Sequence, residues 1–197
     1  MSARNRLPPW HERLRLANGR EILIRPIRAD DAGPLKASFP LLQPEEVRQR
    51  FQHRVKELSD ETLQRLTQPQ PKTEFALVAA EPLPPGEALV GAVARAAIAP
   101  GTRDAEFAIL VSHYVAGMGL GRHLMRRLVR WAKGKKLDRL WGEVLEDNQP
   151  MLSLLDSLDF RRESAGTPGL VRVVLDLSPS SARKTPAGRG EGPRPPG

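Results

Sequence analysis

The sequence predicts an α/β fold of the α+β kind: a mixed, mostly antiparallel central sheet flanked by helices and carrying one parallel strand pair. Three observations predict it. Three apolar runs, at 75–80, 88–98 and 105–111, are separated by the turn strings P-L-P-P-G (82–86) and P-G-T (100–102), the pattern of an antiparallel meander. A Gly-rich turn at 116–121 then opens a strongly amphipathic helix. Last, a strand–helix–strand succession follows, and such a crossover normally makes a parallel pair.

In chain order, Arg13–Ala17 and Arg20–Arg25 flank Asn18-Gly19, the favoured pair for a two-residue hairpin turn. Asp30 or Asp31 is placed to cap a short helix through Phe39, and Pro44-Glu45-Glu46 opens another that carries Val47 and Phe51. Ser59 precedes Asp60-Glu61-Thr62 and caps a helix to about Thr67. After the meander, Leu120, Leu124, Leu128 and Trp131 share one face of a helix that runs to about Lys133. Leu140–Leu145 reads as a strand. Asn148 then caps a helix with Met151, Leu154, Leu155 and Leu158 as its apolar stripe, and Leu170–Leu177 closes the fold as a strand.

The 197 residues suit one domain, taken as 13–177, between an N-terminal extension (1–12) and a tail (178–197). Nine of the tail's twenty residues are Gly or Pro and none is large and apolar, so it cannot bury enough surface to offset its ordering entropy. There is no Cys, which excludes disulfides, thiolate zinc sites and cysteine nucleophiles. No apolar run approaches the ~20 residues that span a bilayer, and the N-terminus lacks the apolar core of a signal peptide; a cytoplasmic protein without a membrane partner is expected.

The net charge of +8 first suggests a nucleic-acid binder. Its distribution argues otherwise: residues 1–20 carry +4 and residues 178–197 carry +3, leaving +1 for 21–177. Within that near-neutral core, residues 122–139 hold eight basic groups against Asp138.

Ala116-Gly117-Met118-Gly119-Leu120-Gly121 between a strand and a helix lets backbone N–H groups approach an anion, and the helix N-terminus adds positive potential. Arg122 follows at once. A phosphate or pyrophosphate fits here, as does a ligand-free turn. A Walker loop is excluded because Gly-Lys is nowhere followed by Ser or Thr, and the spacing and position differ from a dinucleotide fingerprint. The four His residues are scattered without metal-ligand spacing, so no metal is expected.

The order of elements resembles the GNAT superfamily of acyl-CoA-dependent N-acyltransferases. Gly119 and Gly121 match the glycines of that family's pyrophosphate loop, and Asn148 before the Leu-rich helix matches its later motif. The likeness is closer to the GNAT domain of Pat-type bacterial protein lysine acetyltransferases, through I-R-P-I-R (24–28), R-x-R-F (48–51), V-K-E-L-S (55–59), A-E-F-A (105–108), G-L-G-R (119–122) and G-E-V-L (142–145). It implies acetyl-CoA as cosubstrate, a parallel strand pair splayed at its site, and an amine acceptor, either a protein lysine or a small polyamine-like amine. It also implies that Ile109, Leu110 and Val111 offer backbone groups to pantetheine, that residues 116–122 cradle the pyrophosphate, and that Asn148 contacts the pantetheine arm. Four positions depart from the pattern. Ala116 stands for the loop's first Gln or Arg, Met118 for a residue that is often basic, Leu155 for a tyrosine acid, and Asp159 for the Gly before Phe160.

Acylating a lysine, whose amine has a pKa near ~10.4, requires removal of a proton. Glu106, within the apolar strand A-E-F-A-I-L-V, is the candidate base: burial there would raise its pKa, and it matches the Pat-type catalytic glutamate. The alternative is that it faces solvent on a half-exposed strand. Glu74, a second carboxylate at the neighbouring strand's start, reads as an exposed end residue, and Glu143 as structural. A non-catalytic module that senses acyl-CoA, or associates with nucleic acid through the basic ends, is the second reading.

Overall fold

The structure is a computed structural model that describes residues 7–51 and 57–178. Its elements are β1 (Glu12–Arg15), β2 (Glu21–Pro26), α1 (Ala32–Ser38), α2 (Pro44–Phe51), α3 (Asp60–Thr67), β3 (Glu74–Ala80), β4 (Val90–Ile98), β5 (Asp104–Val111), α4 (Leu120–Gly134), β6 (Arg139–Leu145), α5 (Gln149–Asp156), β7 (Arg161–Ser164) and β8 (Leu170–Asp176). The strands form one sheet in the order β1-β2-β3-β4-β5-β6-β8-β7. Every pairing is antiparallel except β5–β6, which is parallel and is joined through α4. The later succession expected to make a parallel pair does not, because β7 intervenes after α5 and β8 returns antiparallel to β6. Helices α4 and α5 cover one face through Leu124, Met125, Leu128, Leu152 and Leu155; α1–α3 cover the other through Leu35, Val47 and Leu63, with Phe39 just after α1.

Several local expectations are corrected. The first hairpin closes with a three-residue loop: Leu16 N–H donates to Arg20 O (2.9 Å), Gly19 N–H donates to Leu16 O (2.9 Å), and Gly19 alone takes a positive φ, +83°. A two-residue type I′ turn would need positive φ at Asn18 as well. Asp31 does not cap α1. Its carboxylate is buried and takes both guanidinium nitrogens of Arg25, at 2.8 and 2.7 Å, and the Arg28 N–H at 2.8 Å. Ser59 does cap α3, accepting from Thr62 N–H at 3.2 Å. On α5 the core residues are Leu152 and Leu155, while Met151 and Leu154 turn toward a cleft.

Strand β7, absent from the sequence reading, is R-R-E-S with every residue exposed. It has no apolar alternation to betray it, and charged residues suit a sheet edge. Asp159, at the family's usual glycine, has φ +66°, the left-handed region in which glycine is free of strain. Of residues 1–12, read as an extension, Trp10–Glu12 pack on the fold: Trp10 lies 4.7 Å from the Phe75 ring, which stacks on Trp131 at 5.5 Å, and Glu12 opens β1. Of the proline- and glycine-rich tail, all but Ser178 lies outside the described residues, as do Val55 and Lys56 of the V-K-E-L-S string.

Gly142 on β6 allows the Phe107 ring of β5 to sit against the strand. A Cβ there would stand 2.8 Å from the ring's Cε1 and Cζ, and Phe107 is held edge-on to Phe160 at 5.6 Å. Gly142→Ala is therefore expected to destabilise the fold by about 1–3 kcal/mol through overpacking. A lower urea midpoint at unchanged m-value checks it; an unchanged midpoint refutes it.

Candidate active site

β5 and β6 pair only through Asp104↔Arg139, Ala105↔Leu140 and Glu106↔Trp141, and beyond Glu106 the two strands diverge. The divergence opens a cleft of about 560 Å³ whose walls include Glu106–Val111, Gly117, Gly119, Gly121, Glu143, Asn148, Met151 and Leu154. Pairing on the other side of β5 sets which of its backbone groups are available. Ser112 N–H donates to Gly91 O (2.9 Å), and Asp104 O accepts from Ala99 N–H (2.9 Å). Strand alternation then turns the backbone of the even residues toward β4 and that of Phe107, Ile109 and Val111 toward the cleft. Leu110, expected to offer backbone, instead reaches the cleft by its side chain.

At the strand's end, Gly117 and Gly119 have φ +74° and +79° and border open space on the side a Cβ would fill. Gly119 stands at the N-cap of α4 and supplies no side-chain cap. His123 N–H is bonded back to Gly119 O at 3.1 Å, so the N–H groups of Leu120, Gly121 and Arg122 precede the first helical bond. No acidic residue sits in the first turn. Gly121 is tight for a different reason: a Cβ there would meet Leu154 Cδ1 at 3.2 Å. These features suit an anion with several oxygens, such as a pyrophosphate, held by backbone N–H groups.

Of the expected loop residues, Ala116, Gly117, Gly119, Gly121 and Arg122 line the cleft. Met118 and Leu120 do not: their side chains pack into the core beneath α4, which leaves only their backbone for a ligand. The basic residues of 122–139 do not form one cofactor patch. Arg127 pairs with Glu12 at 2.9 Å, Arg130 lies over Trp10 at 5.7 Å and Arg139 pairs with Asp104 at 2.7 Å; of the eight, Arg122 lines the cleft. Asn148 is 9% exposed and spends its Oδ1 on the Met151 N–H at 3.3 Å, capping α5; its Nδ2 is the group that remains for a ligand.

Glu106 is not buried among the apolar residues of its strand. Ala105 and Phe107 are buried, and Glu106 projects into the open cleft. The surrounding protein atoms still push its carboxyl above the usual range, chiefly by desolvation and then by the Glu143 carboxylate, against Arg172 and Arg50. Glu143, read as structural, is a cleft residue and is held by Arg172 Nη2 at 2.8 Å. Glu74 is no free end residue: it pairs with Arg95 and accepts from Gln70 N–H at 2.8 Å.

Sequence reasoning missed the contribution of α2. Glu46, Gln49, Arg50 and Phe51 line the cleft. The helix is fastened on both sides of the splayed strands: Glu46 accepts the backbone N–H of His113, and Arg48 reaches Asp147 at 2.6 Å. The R-x-R-F string was its only signal. No group of three or more His, Asp or Glu residues able to hold a metal occurs among the described residues, and none of their helices is long and apolar enough to cross a membrane.

Residues 21–161 match the family model of the acetyltransferase (GNAT) domain. The crystal structure of the GNAT domain of S. lividans PAT superposes with a TM-score of 0.75 at 25% identity, over 87% of this chain and 100% of that one. An N-acetyltransferase from Staphylococcus aureus Mu50 gives 0.60 at 19% identity, over 80% and 99% of the two chains. A cAMP-binding acyltransferase from Mycobacterium smegmatis gives 0.57 at 23% identity, and this chain spans half its length.

Proposed function

The chain belongs to the GNAT acetyltransferase family, and from that premise we propose that it transfers an acetyl group from acetyl-CoA to a protein lysine side chain, with Glu106 as general base. Acyl transfer to an amine is the activity of the family; the acceptor and the base are our reading.

The observation that carries the acceptor is the pair of carboxylates at the cleft. Glu106 and Glu143 lie close enough for the charge of one to raise the pKa of the other, and Glu106 is open to solvent. The solvent-open Glu106 carboxylate, beside a Glu143 that Arg172 holds, offers a counter-charge to a protonated amine at the end of a long side chain. The likeness to Pat-type enzymes over residues 20–177 supports a protein substrate.

In this reading the outward-turned backbone of Ile109 and Val111 pairs with the pantetheine amides, the N–H groups at 117–122 hold the pyrophosphate, and Asn148 Nδ2 contacts the pantetheine arm. Glu106 takes the amine proton, directly or through water. The nitrogen then bonds the acyl carbon, the C–S bond breaks, and the proton that nitrogen sheds on becoming an amide passes through water to the departing sulfur. Cleft-facing N–H groups of β5 steady the carbonyl oxygen as charge develops.

Incubation with acetyl-CoA and cell lysate, followed by mass-spectrometric mapping, is expected to show CoA release and acetylated lysines. Acetylation of free spermidine with no modified lysine would transfer the assignment to small amines. Thermal stabilisation by acetyl-CoA without any CoA release would identify a sensing module instead.

A further inference from the structure

We infer that the protein uses acyl donors longer than acetyl, the tail of the acyl chain occupying a second, apolar cavity behind the cleft. The inference deepens the acyl-transfer reading above and rests on it. The cavity, of about 60 Å³, lies between the α1–α2 layer and strands β4 and β5. It shares three wall residues with the cleft: Arg50, Phe51 and Leu110.

Its position relative to the reacting atoms follows from the strand. Alternation places Glu106, Ala108 and Leu110 on the α1–α3 side of β5, while Ala105, Phe107 and Ile109 pack toward α4. A donor lying along β5 with its phosphates at Gly117–Gly121 brings its acyl carbon back toward Glu106, on the face that Leu110 shares with the cavity. A methyl group ends at that wall. A longer chain continues past Leu110 and Phe51.

The chemistry of the lining suits such a chain. Apart from the shared Arg50, the wall is apolar save for Ser38 and Ser112, and Ser38 donates its hydroxyl to Leu35 O at 3.3 Å. Eleven of its fourteen lining residues are apolar, so most of the wall offers a water no polar partner and an alkyl chain a matching surface. One water-sized occupant requires roughly 10–15 Å³ on this scale, so the space admits the one or two extra methylene groups of a propionyl or butyryl chain. The bond changes are those of acetyl transfer: Glu106 takes the ammonium's first proton, N–C forms, C–S breaks, and the second proton shed by nitrogen passes to the departing sulfur, so CoA leaves as the thiol.

Val93 separates this inference from the acetyl-transfer reading. It lies opposite Leu110 in the β4–β5 register and lines the cavity but not the cleft. The test measures CoA release from acetyl-, propionyl-, butyryl- and succinyl-CoA with one lysine peptide, for the wild-type protein, Val93→Phe and Val93→Ala. Wild-type kcat/KM for butyryl-CoA is expected within about tenfold of that for acetyl-CoA, because the cavity receives the two added methylenes, whereas a closed wall would reject each by roughly 10–200-fold. Val93→Phe fills the cavity and lowers the butyryl-to-acetyl ratio at least about tenfold, with acetyl use changed less than about threefold; Val93→Ala raises the ratio.

Inert butyryl-CoA beside active acetyl-CoA overturns the inference and leaves the acetyl reading intact. Equal losses for both donors in Val93→Phe overturn it too, and preference for succinyl-CoA would assign the wall to Arg50. If Val93→Phe does not fold, Val93→Ala decides alone, and no rise in its ratio refutes the cavity. Release of CoA from none of the four donors defeats the acetyl reading and this inference together.

Discussion

Glu106→Gln is expected to lower kcat/KM by about 10²–10⁴-fold, the contribution typical of a positioned general base. The affinity for acetyl-CoA, read by thermal shift or calorimetry, should change little, because the cofactor-binding groups proposed here are backbone N–H groups of 117–122 and β5. The pH profile supplies the sharper test. Desolvation and the Glu143 carboxylate raise the Glu106 carboxyl above the ordinary range. The base is active only when ionised, so activity should climb with pH through that raised value and fall away below it. Glu143→Gln removes the like charge and should move the acid limb to lower pH. A variant Glu106→Gln with near-normal turnover across pH would leave the base unassigned to Glu106, and an acid limb unmoved by Glu143→Gln would break the coupling.

Asp31→Ala is expected to cost about 3–5 kcal/mol of stability, as breaking a buried ion pair from one side does. Arg25 is 2% exposed and Asp31 0%, and their guanidinium and carboxylate meet in two bonds at 2.8 and 2.7 Å. Alanine at 31 strands the Arg25 charge, whose Nε already has no partner, and removes the acceptor of the Arg28 N–H. Melting should drop by roughly 6–20 °C, at ~2–4 °C per kcal/mol for a chain of this size. The double variant Arg25→Met/Asp31→Ala deletes the stranded charge and should recover much of the loss. A double variant no more stable than Asp31→Ala would show that the cost lies elsewhere, for instance in the lost Arg28 contact.

Much of the fold is legible in the chain because the signals are local. The apolar runs of β3–β5, cut by Pro and Gly, can only be strands of a meander. Ser59 and Asn148 cap the helices that follow them through bonds spanning three residues. The Gly117 and Gly119 positions announce themselves because left-handed backbone is costly for other residues. Where local signals mislead, a distant partner decides. Asp31 reads as a helix cap until Arg25 is seen folded against it, and β7 has no pattern of its own without β8 beside it.

The site divides along the same line. From sequence alone come the family likeness, the Gly-rich loop as the proposed pyrophosphate cradle and Glu106 as a chemical candidate, since each rests on residue types at fixed short spacing. Tertiary structure alone decides that Glu106 projects into an open cleft rather than the core, that the basic run of α4 scatters, and that α2 walls the cleft. It also decides that an apolar cavity adjoins the cleft at Leu110. The reason is physical: α2 is held by contacts such as Arg48–Asp147, whose partners stand 99 residues apart, and no periodicity encodes a pairing at that separation. Sequence periodicity dictates which face of an element is apolar, but only the packed whole dictates what that face meets.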